Sequence, residues 1–421
     1  MKKLNVNINS EIGKLESVII HTPGAEVENM TPENAERALY SDILNLDIAL
    51  PEYNNFLGVL KKYTRVFEVT DLLKDVLQDE KTKLEVLRRI CVSEAPLDED
   101  ICKLIESFGV DDLARQLIEG VEIKRDNLTR FLDNEHYSLH PLPNFFFTRD
   151  AGFAVNEHVL IAKMANRVRD REAFIMEMIF KHHPAFNTKV INPVEKFDRT
   201  GKASIEGGDV LIARDDIFLI GTGMRTTSQG IDSILELLKT KPGTSHVIVQ
   251  ELPFKPESFI HLDMTFTFLD VDKCMIYEPL IMRSTRLLTI HITIDNGKIA
   301  SIKEGKDIPA VLRTLGIDLE PVFCGGENDL TTMEREQWQS GANFFALEPG
   351  KVIGYARNVH TIETLNRHGF EIIRARDIVD GSISPEDYKK VVVTIQGNEL
   401  SRGGGGARCM TMPLARQKTE W

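Results

Sequence analysis

No run of eighteen apolar residues occurs in this 421-residue chain, so no transmembrane helix is expected. Nor does an apolar segment follow the two lysines of the opening MKKLNVNINSEIGKLESV, which argues against a secretory leader. Positive charge is in deficit: the formal net charge is −13. Nucleic acid and anionic membrane both need a basic surface, so neither is expected as a partner. Cysteine is sparse, five residues with no CxxC pair. Cys91, Cys102, Cys274, Cys324 and Cys409 therefore read as reduced, cytosolic thiols rather than a disulfide framework or a zinc site.

What is present is repetition. The stretches AGFAVNEHVLIAKM from Ala151, GDVLIARDDIFLIGTG from Gly208, MTFTFLDVDKCMIYEP from Met264 and ANFFALEPGKVIGYAR from Ala342 share one form. Each is an apolar, β-rich run, a short turn and a second apolar run, which predicts a hairpin. Further strands are expected in KLESVIIHTPG and in KKVVVTIQG, with helical patterns such as RDREAFIMEMIFKHH between hairpins. Recurrence at intervals of roughly 55 to 80 residues predicts an α/β fold of repeated strand-and-helix modules set in a ring or propeller. Residues 71–131 differ, carrying apolar residues at a helical period, and predict a helical insertion. The expected divisions are 1–70, a first module; 71–131, the insertion; and 132–421, the remaining modules.

Reactive side chains stand immediately before the predicted hairpins and after the last predicted strand. Asp150 ends LPNFFFTRD, Glu206 and Asp209 form EGGD, His261 and Asp263 form HLD, and Cys409 follows GGGGAR. Pseudo-symmetric modules would present these groups toward one centre, held still by the sheets beneath them. Metal is not expected: HLD offers two ligands and no third at metal spacing. No Lys-Ser or Lys-Thr follows the four glycines, so they do not read as a phosphate cradle.

In SEIGKLESVIIHTPG, LPNFFFTRD, SIEGGDV, HLD, EREQWQSGANFFALEPGKVIGY and GGGGARCMTMP, taken in that order, the chain resembles the arginine deiminases of the guanidino-group-modifying (pentein) superfamily. The resemblance implies a five-module αβ propeller with a helical insertion. It also implies hydrolysis of L-arginine to L-citrulline and ammonia without cofactor. Guanidinium is planar and always protonated, with a pKa above about 12, and carboxylates grip it bidentately. The implied roles are a clamp for Asp150 and Asp263, attack by Cys409, general acid and base catalysis by His261, and orientation of His261 by Glu206, with Asp209 in the same polar shell. Arg169 and Arg225 would meet the substrate carboxylate, with Asn144 as a donor and Phe147 as a wall. Gly403 would belong to a glycine gate carrying Arg402 and Arg408. The chain departs from the common family pattern at Gly404, where a further arginine often interrupts the glycines, and in HTPG and LYSDI. Agmatine, methylated arginine or citrulline as substrate, a non-catalytic arginine-binding role and a homo-oligomer remain open.

Overall fold

Five sheets built on one plan account for most of the strands. The computed structural model describes residues 3–93, 99–283, 286–327 and 329–421. In the second sheet, Gly152–Val155 and His158–Ile161 form an antiparallel hairpin and Lys189–Ile191 joins in parallel after the helix Asp170–His182. The third sheet repeats this with Val210–Arg214, Ile217–Thr222 and Thr244–Glu251, and the hairpin Thr289–Asp295/Lys298–Gly305 widens it. The fourth uses Phe266–Asp270, Lys273–Ile276 and Glu320–Phe323. The fifth uses Phe345–Glu348, Lys351–Tyr355 and Val391–Ile395, with Glu371–Arg374 at its edge.

The first sheet is assembled from both ends of the chain. Met412–Arg416 pairs antiparallel with Leu15–Ile20, and Arg65–Glu68 follows in parallel after the helix Leu46–Tyr63. Its opening strand is therefore the last strand of the polypeptide. Contacts run from each sheet, or the turn entering it, to the next, and from the fifth back to the first, so the ring closes. The fold is the five-module αβ propeller.

Local chemistry explains the repetition. Each of the four continuous hairpins turns in two residues, and three of them carry a register irregularity just before the turn, at Ile212/Arg214, Phe268/Asp270 and Ala346/Glu348. The leading strands are buried nearly throughout, which is why they read as continuous apolar runs rather than alternating ones. Side-chain caps start the crossover helices where the sequence offers them: Thr227 accepts from the Gly230 amide and Asp307 from that of Ala310.

Between the first two modules, the helices Val69–Leu77, Glu80–Ser93, Glu99–Glu106 and Val110–Glu119 form a layer whose first two members lie against Asp170–His182. One expectation fails here. Cys91 and Cys102 are joined in a disulfide, with Cα atoms 5.9 Å apart, while Cys274, Cys324 and Cys409 are free. Successive helices bring the two thiols within bonding reach, which their spacing in sequence does not show.

His21 of the HTPG segment is buried between carboxylates, 3.1 Å from Glu26 and 3.2 Å from Glu68. Burial pushes its pKa down, but the two acids outweigh it and raise the pKa from 6.5 to about 10. A raised pKa means that the charged pairing contributes fully below pH 6.5 and is lost as pH climbs through 10. The Tm deficit of His21→Gln should accordingly be largest at pH 6 and shrink steadily toward pH 10. Thermal melts of the two proteins across that range check it, and a constant deficit would show that His21 acts by packing alone.

Candidate active site

The turns that lead into three of the opening strands, those of the first, second and fourth sheets, line one cavity of about 650 Å³, and the turn of the third lies against its neighbours. Asp150 arrives on the short helix Thr148–Ala151, Glu206 and Asp209 on the turn before Val210, His261 and Asp263 on the turn before Phe266, and Cys409 just before Met412. Asp150, His261 and Cys409 line the cavity. Asp263 lies behind the thiol, 3.8 Å from its sulfur.

His261 is held from both sides. Glu206 lies 2.9 Å from its Nε2 and Asp150 Oδ1 3.6 Å from its Nδ1. Burial disfavours the imidazolium, but Asp150, the Glu206 hydrogen bond and Asp209 overcome this and raise the pKa to about 9. The ring is therefore a cation at neutral pH. Burial pushes Glu206 up, yet the His261 hydrogen bond and the charges of Arg225, His261 and Arg169 keep it ionised well below the usual range. Gly208 makes room for the ring, since a Cβ there would stand 2.5 Å from His261 Nδ1.

The thiol has the opposite problem. Burial, then the negative charges of Asp263 and Asp150, drive the Cys409 pKa well above its ordinary value, and Arg408 offsets only part of this. The free protein presents a neutral thiol and an imidazolium to the same cavity.

Asp150 and Asp263 are each already half occupied. Asp150 Oδ2 accepts from Arg169 at 2.8 Å and Asp263 Oδ2 accepts from Arg408 at 2.8 Å. Their other oxygens, Asp150 Oδ1 and Asp263 Oδ1, are buried without a hydrogen-bond partner. A buried, unsatisfied anionic oxygen is costly, so both are poised to accept from a cationic donor. Asp150, Glu206 and His261 also bring one ligand atom each within 4.8 Å of one another. Metal binding needs neutral imidazole, however, and here the ring is protonated and Arg169 and Arg225 already stand beside the carboxylates.

The remaining candidates divide. Asn144, Phe147 and Arg225 line the cavity, and Arg225 Nη1 is buried without a hydrogen-bond partner. Arg169 also reaches the wall, but its donors go to Glu172, Asp150 and the Asn144 carbonyl. Asp209 lies off the cavity lining and accepts from the Leu262 amide at 2.8 Å, fixing the HLD turn; burial raises its pKa to about 7. Arg408 is buried and committed to Glu11, Asp263 and the Val210 carbonyl.

The glycine segment roofs the cavity. Gly404 adopts φ +81°, a left-handed conformation that strains other residues, and so suits glycine. Gly403 and Gly405 lie so close to the Phe147 ring that a Cβ on either would stand 3.1 or 2.5 Å from it. Glu52 accepts from the amides of Asn398, Glu399 and Leu400, and Tyr355 Oη donates to the Gly405 carbonyl. Across the mouth, Asp42 of LYSDI pairs bidentately with Arg402, both contacts at 2.7 Å. An exposed pair is worth at most about 1 kcal/mol. Arg402 also donates to the buried Glu399 at 3.1 Å, so Arg402→Ala should lower Tm modestly while raising amide hydrogen exchange across residues 400–405. Unaltered exchange would show that the pair does not hold the roof.

A sequence profile described as "Arginine deiminase" matches residues 36–416. The arginine deiminase of Listeria monocytogenes serotype 4b (strain CLIP80459) is 33% identical over 428 residues, covering 98% of this chain and 98% of that protein. The chain belongs to the arginine deiminase family. Another arginine deiminase, from Mycoplasma capricolum, is 33% identical over 426 residues, covering 98% and 97% of the two chains. Among solved structures, an amidinotransferase (SxtG) from Microseira wollei superposes with a TM-score of 0.55 at 15% identity, over 99% of this chain and 98% of that one. That likeness concerns the fold.

Sequence reasoning overlooked Asn343. It stands before Phe345, the opening strand of the fifth module, in the position where the other modules place their reactive groups. Its Oδ1 accepts from the Arg408 amide at 2.8 Å, and its Nδ2 lies 3.3 Å from the Cys409 sulfur. The signal was its place in the repeat.

Proposed function

We propose that this protein hydrolyses free L-arginine to L-citrulline and ammonia through a covalent Cys409 intermediate. The observation that carries the reading is the pair of buried oxygens that accept no hydrogen bond, Asp150 Oδ1, 3.6 Å from the His261 ring, and Asp263 Oδ1, beside a thiol whose ionisation these same acids suppress. The relatives named arginine deiminase, matched nearly end to end, support it independently.

A guanidinium entering between the two acids brings positive charge next to the sulfur. Its charge offsets that of Asp150 and Asp263, so the thiol releases its proton to solvent on substrate binding. The thiolate attacks the guanidinium carbon, forming the C–S bond. His261, already protonated, gives its proton to one terminal nitrogen, and the C–N bond breaks to release ammonia. Water then adds to the amidino-thioether as neutral His261 takes a proton from it. Cleavage of the C–S bond returns the thiolate and, as the added hydroxyl loses its remaining proton to solvent, leaves the ureido group of citrulline. Glu206 keeps the imidazole oriented throughout. At the far end of the substrate, Arg225, whose Nη1 makes no hydrogen bond and lies 3.9 Å from Glu206, supplies a donor for the carboxylate, Asn144 has one amide hydrogen left after donating to the Ala38 carbonyl, and Phe147 covers the aliphatic stem.

The commitment of Arg169 to acids favours one second reading, agmatine, which lacks the carboxylate. Assays of ammonia release and ureido product separate the two. Arginine should exceed agmatine in kcat/KM by on the order of a hundredfold or more, and preference for agmatine would overturn the assignment. The proposed location is the cytoplasm; no helix among the described residues is long and apolar enough to cross a membrane.

A further inference from the structure

We propose that Asn343 is a further member of the catalytic set, donating a hydrogen bond to the Cys409 sulfur and stabilising its thiolate while anchoring the turn that carries it. The proposal rests on the reading of Cys409 as the nucleophile.

The orientation of the side chain is fixed by its partners. Oδ1 faces the backbone amides of Arg408, at 2.8 Å, and Cys409, at 3.4 Å. Backbone amides only donate, so the oxygen must point at them and the NH₂ group must point the other way. That group has two hydrogens and two principal acceptors: the Asp263 carbonyl at 3.1 Å and the Cys409 sulfur at 3.3 Å. Asn343 therefore ties the turn carrying the thiol to the turn carrying Asp263. The fourth glycine of the gate has a role here, because a Cβ on Gly406 would stand 2.6 Å from the Asn343 side chain.

The electrostatic setting makes this donor matter. Asp263 and Asp150 oppose a negative sulfur, a backbone hydrogen bond from Gly406 and the charge of Arg408 favour one, and Tyr355, whose hydroxyl is spent on Gly405, sits near enough to feel its charge. His261 faces the same cavity as a cation. Asn343 is the neutral side-chain donor within hydrogen-bonding distance of the sulfur, and a hydrogen bond to an ionised acceptor is about twice as strong as one between neutral groups. The bond therefore strengthens as the thiol loses its proton.

The test is the rate of Cys409 alkylation by iodoacetamide from pH 7 to 10, followed by peptide mass spectrometry, with kcat measured in parallel. Asn343→Asp keeps the acceptor for the two backbone amides but turns an anionic oxygen toward the sulfur. Its Cys409 should alkylate at least about tenfold more slowly at pH 8, one unit of upward shift, with kcat reduced by about a hundredfold or more. Asn343→Ala, which adds no charge, should show a smaller slowing of the same sign and provides the readout if the aspartate variant does not fold. A merely structural role predicts the reverse, because a loosened turn exposes the thiol and speeds alkylation. Unchanged or faster alkylation in the folded variants overturns the proposal. Should the wild-type protein release no ammonia from arginine, the functional reading falls instead, while the alkylation profile still judges Asn343.

Discussion

Asp263→Asn should make the thiol more reactive and the enzyme far less active. The aspartate lies 3.8 Å from the Cys409 sulfur, and its charge is the largest cause, after burial, of the raised thiol pKa. Removing that charge stabilises the thiolate, so alkylation of the free protein at pH 8 should accelerate about tenfold, corresponding to one pKa unit. Catalysis should move the other way. Asparagine can turn its carbonyl oxygen to Arg408, as Asp263 Oδ2 does, but then sets an NH₂ group where the unpartnered oxygen was. Substrate N–H donors would meet a donor. The loss of one charged, buried acceptor predicts a fall in kcat/KM of on the order of a thousandfold. Arg408 keeps its two contacts to Glu11 at 3.0 Å, which limits the structural damage. Slower alkylation in this variant would show that burial, not the acid, governs the thiol, and the substrate-assisted route would lose its basis.

The second large effect concerns the nucleophile itself. Cys409→Ala should still bind arginine while ammonia release falls by on the order of ten-thousandfold or more, the scale seen when a nucleophile is removed from a covalent catalyst. Binding survives because the contacts proposed for guanidinium and carboxylate come from Asp150, Asp263, Arg225 and Asn144, none of which depends on the sulfur for its position. Titration calorimetry with the variant measures the first part and a coupled ammonia assay the second. Turnover within a hundredfold of the wild type would sink the covalent route.

Much of this architecture was legible in the sequence because it is written locally. Four hairpins could be read from apolar runs around two-residue turns, and the position of each acid before its strand followed directly; Cys409, expected to follow the last strand, instead precedes one, Met412–Arg416. The first module was harder, since Leu15–Ile20 finds its antiparallel partner in Met412–Arg416, and nothing local marks pairing across the whole chain. The commitments of the arginines were hidden for the same reason. Arg169 is divided between Asp150 and Glu172, and Arg408 between Glu11 and Asp263, contacts that depend on how distant turns converge. Asn343 escaped notice because a neutral amide carries no sign of chemistry until its neighbours are known.

The closure of the ring has a consequence for biosynthesis. Ribosomes build from the amino end, so the acids and the imidazole emerge first and wait for the strand that seals the first sheet. That strand follows Cys409 by two residues. A nascent polypeptide thus lacks a closed first sheet, and Cys409 takes its place beside Asp263 only when Met412–Arg416 has paired with Leu15–Ile20.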